Sequence, residues 1–256
     1  MKTDYAGVIP CLDTRDGKLV KGVHFVDIKE LGDPADAAGA YSDAGADELV
    51  VLDITASAEG RKTFMDVVQR TARACRVPLT VGGGIGSVED MQRMIDAGAA
   101  KVSINTAAVR DPDLIRRGAE QFGSDRVTVA IDTRGNDQMP SGFEVMVRGG
   151  REGAGIDAVE WGARAAKLGA GALLPTSMDT DGVQTGYDIA MTRAIADAAD
   201  VPVIASGGAG TLDHLVEAIR DGHADAVLVA SIAHYGTFTI QQMKDHLAAA
   251  GIAVRT

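Results

Sequence analysis

Two aspartates each close a short apolar run: Asp13 follows Val8–Leu12 and Asp132 follows Val127–Ile131. A carboxyl group there sits half out of an apolar interior. Two of them flanking one substrate can act as proton donor and proton acceptor, if their surroundings hold their pKa values apart. Taken singly, either aspartate could equally cap the following loop; the pairing favours chemistry. Two glycine-rich turns, Gly82-Gly83-Gly84 and Ser206-Gly207-Gly208-Ala209-Gly210, also follow apolar runs. Glycine lets backbone N–H groups approach an anion, so the two turns, with Ser103–Thr106 and Ala230-Ser231 as further donors, suit a substrate with a phosphate at each end. Tight turning alone explains either set about as well. Lys21 lies in a long loop, where it either covers the substrate or is simply solvated. The five histidines show no ligand spacing and the two cysteines form no Cys-x-x-Cys pair, so neither a metal nor a cofactor is expected.

Eight short apolar runs supply the elements that must position these groups: Val8–Leu12, Leu49–Leu52, Leu79–Val81, Lys101–Ile104, Val127–Ile131, Ala172–Pro175, Val203–Ala205 and Ala226–Val229. Their length and continuous apolarity fit strands buried on both faces. Amphipathic stretches alternate with them: Pro34–Ala44, Thr63–Cys75, Val88–Asp96, Pro112–Gln121, Ile156–Lys167, Ile189–Ala199, Leu212–Arg220 and Ile240–Ala250. Asp33, Ser87 and Asp111 stand where N-caps belong. Gly45, Gly98, Gly169 and Gly222 stand where left-handed helix caps belong, ahead of every second strand. The alternation predicts α/β architecture with a parallel sheet, and eight units predict closure into a single (β/α)8 TIM barrel spanning 1–256. A doubly wound open sheet is the competing architecture. The Asp13 and Gly83 neighbourhoods recur about half a chain later, which predicts a pseudo-twofold pair of half-barrels, about 1–123 and 124–256. Long loops after the first, second, fifth and sixth strands (14–32, 55–61, 133–155 and 177–187) all fall at strand C-terminal ends, where barrel enzymes carry their sites.

The chain has 256 residues, 46% apolar and only 4% aromatic, so branched aliphatics and alanine must build the core. A net charge of −11 disfavours nucleic acid and anionic membranes as partners. Neither a signal-peptide pattern nor an apolar run of membrane-spanning length is present, which points to the cytoplasm.

The motifs in order resemble the cyclase subunit of imidazole glycerol phosphate synthase, of histidine biosynthesis. The matching segments include Cys11-Leu12-Asp13 with Lys21-Gly22, Leu52–Ser57, Val81–Ile85, Lys101–Val109, Val129–Asp132, Thr176–Asp179 with Asp181-Gly182, Gly186–Asp188 and Ile204–Gly210. That resemblance implies a lyase-type reaction. Ammonia from a partner glutaminase subunit, docked at the N-terminal barrel face, reacts with a bisphosphorylated ribulosyl aminoimidazole carboxamide. The products are imidazole glycerol phosphate and aminoimidazole carboxamide ribotide. Asp13 and Asp132 become acid and base. Lys21 covers the substrate; Gly84, Asn105 and Thr106 line one phosphate site, and Asp181, Gly182, Gly208 and Ser231 the other, with Thr176 alongside. The family commonly closes the barrel bottom with a ring of four charges, of which Glu48 and Lys101 are present while Gly7 and Ala172 replace the other two. Pro175 inside a strand and Gly135 in place of a basic residue are further departures. The alternatives are the phosphoribosyl isomerase of the same pathway, a divergent paralogue with an altered substrate, and a non-catalytic phosphate-binding barrel.

Overall fold

The structure is a computed structural model that describes residues 4–23, 26–54 and 58–255. Its strands are β1 (Gly7–Arg15), β2 (Lys18–Val23), β3 (Val26–Gly32), β4 (Leu49–Asp53), β5 (Leu79–Gly82), β6 (Lys101–Ile104), β7 (Val127–Gly135), β8 (Phe143–Val147), β9 (Glu152–Asp157), β10 (Ala172–Ser177), β11 (Ile204–Ala205) and β12 (Ala226–Val229). All eight expected strands are present. Parallel pairing runs β1-β4-β5-β6-β7-β10, passes to β11 through the bridges Leu173–Val203 and Thr176–Ser206, then to β12 and back to β1. The sheet is therefore closed rather than open. Following partners once around from Asp13, through Leu52, Gly82, Ser103, Thr128 and Ala172, returns to β1 eight residues lower, the shear of a TIM barrel.

Alternation along the strands divides the core in two. Ile9, Cys11, Val50, Ala172, Leu174, Ile204, Ala226 and Leu228 pack together inside the barrel. Val8, Leu12, Val51, Val102, Val129, Leu173 and Val227 face outward, in the larger cluster with the helices. Asp13 and Asp132 fall on the inward phase of β1 and β7, at its C-terminal end.

The helices are α1 (Pro34–Asp43), α2 (Ala58–Ala74), α3 (Val88–Asp96), α4 (Thr106–Arg110), α5 (Asp113–Phe122), α6 (Ala158–Lys167), α7 (Ile189–Ala198), α8 (Leu212–Arg220), α9 (Ser231–His234) and α10 (Ile240–Ala249). Asp33 and Ser87 cap α1 and α3 through their side chains. Asp111 does not cap α5: its carboxylate takes the Arg117 guanidinium at 2.8 Å instead. Gly45, Gly98 and Gly169 adopt the left-handed conformation expected of helix caps, but after α8 it is His223 (φ 54) that does so. Gly222 is needed for a different reason, since a Cβ there would lie 2.5 Å from the Ala218 carbonyl oxygen.

Two of the expected loops are not loops. Asp16 (φ 51) and Gly17 (φ 80) turn β1 back into β2, the Asp-Gly hairpin geometry in which both central residues need positive φ. Lys21 thus belongs to a strand paired with β3, opposite Lys29. The segment after β7 likewise folds back as the β8–β9 hairpin, with β8 on β7. The third loop is shorter than expected because α2 begins at Ala58; positions 55–57, part of the Leu52–Ser57 motif, lie outside the described residues.

Some backbone details recur between the first and second halves of the chain. Hairpins follow β1 and β7. Gly83 and Gly84 match Gly207 and Gly208 in positive φ. Short helices follow β6 and β12 after residues of nearly equal, unusual geometry: Asn105 (φ −129, ψ −95) and Ala230 (φ −133, ψ −78).

Pro175 explains a weak seam. Leu173 and Ser177 donate their N–H groups to Pro202 and Ser206 on the β11 side, so the residue between them would donate there too. Proline has no N–H, and the β10–β11 contact accordingly falls to isolated bridges beside a two-residue strand.

Candidate active site

At the C-terminal end of the barrel one cavity is lined by Cys11, Asp13, Asp132, Thr176 and the 206–209 turn, with Asp181, Gly182 and Ser231. The first and fifth barrel strands therefore deliver their aspartates to a common space, as the symmetry of the sequence led us to expect. Asp13 is buried, and the Cys11 thiol lies 3.8 Å from its Oδ1.

Asp132 differs in its surroundings. Burial pushes its carboxyl up to about 7; the negative charge of Asp181 pushes the same way, and a hydrogen bond from Asn105 opposes them. An aspartic acid near neutrality can hold a proton and give it up, which is the property a general acid needs. Asn105 and Asp181 were expected on the two phosphate rims. The structure places Asn105 on Asp132 and puts Asp181 in the same cavity, within reach of its charge. The Asn105 Oδ1 is buried and has no hydrogen-bond partner among the described residues.

The remaining expected site residues divide by half-barrel. Thr176, Gly182, Gly208 and Ser231 line the cavity directly. Gly208 is also a packing requirement, because a Cβ there would meet the Gly186 carbonyl oxygen at 2.0 Å. On the opposite rim Gly83 packs as tightly on the Asp53 backbone, while Gly84 (φ 66) would meet nothing within 4 Å and is open. Thr106 opens α4, its hydroxyl accepting the Arg148 N–H at 2.9 Å. Lys21 has its backbone in β2; its side chain lies outside what is described.

Sequence reading missed one residue that lines the cavity and several contacts made by the hairpin after β7. Gln184, from the loop after β10, lines the cavity. Arg148 reaches Thr106 from the β8–β9 hairpin. Asp179 accepts from Gly135 N at 2.8 Å, so the position where a basic residue was expected instead fastens the hairpin to the loop after β10. Of the histidines, His234 bonds Tyr41 (2.7 Å) and the Cys11 carbonyl (2.8 Å), His223 pairs with Asp197 and His246 with Asp213, while His214 accepts from Gly210 N.

The opposite, N-terminal end of the barrel carries two ion pairs. Glu48 takes the Lys101 ammonium at 2.5 Å and the Thr80 hydroxyl on its other oxygen. Both side chains belong to the inward phase of β4 and β6. Next to Glu48 in sequence, Asp47 takes the Lys244 ammonium at 2.9 Å and the Val8 N–H at 2.8 Å. Gly7 and Ala172 lie at this same end, and a Cβ on Gly7 would come within 3.2 Å of the Ala226 Cβ.

Residues 7–239 match the family model described as histidine biosynthesis protein. The chain belongs to that family. Members are TIM-barrel enzymes of histidine biosynthesis, and the family holds both the cyclase and the phosphoribosyl isomerase. Family membership thus gives the pathway and the fold; choosing between the two reactions falls to the site.

Proposed function

We propose that this histidine biosynthesis protein is the ammonia-dependent cyclase. The observation that carries the reading is the Glu48–Lys101 pair on the barrel axis, at the end opposite the cavity. Burying a carboxylate costs about as much as its attraction to a partner returns, so a pair built on the buried Glu48 is a poor stabilising device. It suits a gate for a small polar nucleophile entering from below, and an isomerase working at the mouth alone has no use for one. Above the pair the axis is walled mainly by Ile9, Val50, Leu174, Ile204 and Leu228. Such a lining favours neutral ammonia over ammonium, because an unpaired charge is not tolerated there. The Lys101–Val109 segment, which places Asn105 on Asp132, is the other support.

In this reading ammonia attacks the ribulosyl carbonyl carbon with its lone pair. Asp132 gives its proton to the carbonyl oxygen and Asp13 accepts a proton from the added nitrogen; a second proton passes from that nitrogen to the oxygen, which departs as water and leaves an imine. Ring closure and cleavage then yield the imidazole and the carboxamide ribotide. A glutaminase partner at the N-terminal face supplies the ammonia. With Gly7, Ala172 and Ala226 small and uncharged, half of the entrance has no ion pair across it, and free ammonia enters readily. Purified protein given the bisphosphate substrate and an ammonium salt is expected to form imidazole glycerol phosphate without a partner. Conversion only of the pathway's aminoaldose precursor, by isomerisation, would replace this reading with the isomerase.

A further inference from the structure

We propose that Arg148, at the tip of the β8–β9 hairpin, is a phosphate-binding residue for the rim formed by Gly84 and Thr106, and that Glu152 holds its guanidinium when the rim is empty. The proposal rests on the bisphosphate reading above, but concerns binding rather than the reaction that follows.

The Arg148 N–H donates to the Thr106 hydroxyl at 2.9 Å, so the hairpin tip and the rim are in direct contact. A hydroxyl has one proton and two lone pairs. With one lone pair occupied by the Arg148 N–H, its own proton stays available to an anion at the rim. Arg148 also adopts φ 56, followed by Gly149 (φ 67) and Gly150 (φ 77). A side chain other than glycine in that region is uncommon, and such conformations gather at ligand-binding positions.

The tip is fastened from outside. Gly150 packs so closely on Met178 that a Cβ would come within 2.4 Å of its Cε, and the Gly150 carbonyl accepts from Arg134 at 3.4 Å. The guanidinium, by contrast, is only loosely engaged. Arg148 Nη1 lies 3.2 Å from Glu152 Oε2, with the two side chains 61% and 56% exposed. Such an exposed pair is readily exchanged for a better one, and a phosphate accepts two parallel N–H bonds from a guanidinium. In a chain of net charge −11, an arginine whose backbone touches Thr106 meets a need that the acidic remainder does not.

Arg148→Ala keeps the N–H bond to Thr106 and removes only the guanidinium. Titration of inorganic phosphate into the Ser231→Asp variant, whose opposite rim is blocked by charge, isolates the Gly84–Thr106 rim. Adding Arg148→Ala to it is expected to weaken phosphate binding about tenfold or more, the usual scale for a charge-assisted bond. In the otherwise unaltered chain Arg148→Ala should raise the KM for the bisphosphate similarly with little change in kcat. Arg148→Lys should restore part of the loss. Glu152→Gln, which removes the competing carboxylate, should tighten phosphate binding a few-fold. A merely structural hairpin tip predicts no gain from Glu152→Gln. Phosphate affinity and KM unchanged in Arg148→Ala would overturn the proposal. Weakened phosphate binding in a protein that turns over neither substrate would instead overturn the cyclase reading and leave this one standing.

Discussion

Asp132→Asn is expected to lower ammonia-dependent turnover by about 10²–10⁴-fold, the range over which a positioned general acid contributes. Asparagine fills the same space and can still bond Asn105, but it has no proton to give. Wild-type kcat/KM should fall on the alkaline side with an apparent pKa near 7, as the Asp132 carboxyl ionises. Asp13→Asn should lose turnover on the same scale, with bisphosphate binding retained in both variants.

The same substitution should stabilise the fold. The Asp132 pKa rises from 3.8 to about 7 on folding, so the unfolded chain ionises first. Stability is therefore lost as pH rises from about 4 towards 7, and the loss is complete above the folded value. A three-unit shift corresponds to about 4 kcal/mol as an upper figure. Asparagine carries none of this cost, so Asp132→Asn should melt higher than wild type at pH 8 and by much less at pH 4. Thermal melts at the two pH values decide it: an equal difference at both would show that Asp132 ionisation is not what burial opposes. A gain in stability tied to a loss of turnover is the usual mark of a residue kept for chemistry.

Lys244→Ala is expected to cause the largest loss of stability. Lys244 and Asp47 are 7% and 6% exposed, and Lys244 also bonds the Arg255 carbonyl at 2.9 Å. The pair ties α10 and the C-terminal segment to the bottom of the barrel. Removing the ammonium leaves a buried carboxylate without its counter-charge, which costs about 3–5 kcal/mol. For a chain of this size each kcal/mol shifts Tm by about 2–4 °C, so a fall of about 10 °C is expected. Lys244→Met combined with Asp47→Asn should recover much of it, because asparagine still accepts from Val8 N–H without a stranded charge. A Lys244→Ala melt within about 2 °C of wild type would show that water reaches Asp47.

The barrel strands were legible because each is a continuous apolar run, and the strand-end aspartates because a charged residue ends such a run only where the barrel opens. The hairpin at Asp16-Gly17 was not read: its strands (Lys18–Val23 and Val26–Gly32) are broken by polar residues rather than continuously apolar, so 14–32 carries no strand signal of the barrel kind. What could not be read were contacts set by register between strands or by loops folding back. Asn105 meets Asp132 because β6 and β7 are neighbours, which turns a residue expected to bind phosphate into the partner of the acid. Arg148 reaches Thr106 only because the β8–β9 hairpin folds back along β7. Local rules also yielded to local competition: Asp111 gave up its cap for Arg117, and His223 took the left-handed position beside Gly222, where a close carbonyl admits no side chain.

A crystal structure with a non-hydrolysable bisphosphate analogue bound would decide most directly whether the two aspartates serve one reaction. Expected is a ligand lying across the cavity, one phosphate at Gly84 and Thr106 and the other at Gly208 and Ser231, with the Asp13 and Asp132 carboxyls on opposite sides of its reacting carbons. A ligand that reaches only one carboxyl, or that leaves either rim empty, would contradict it.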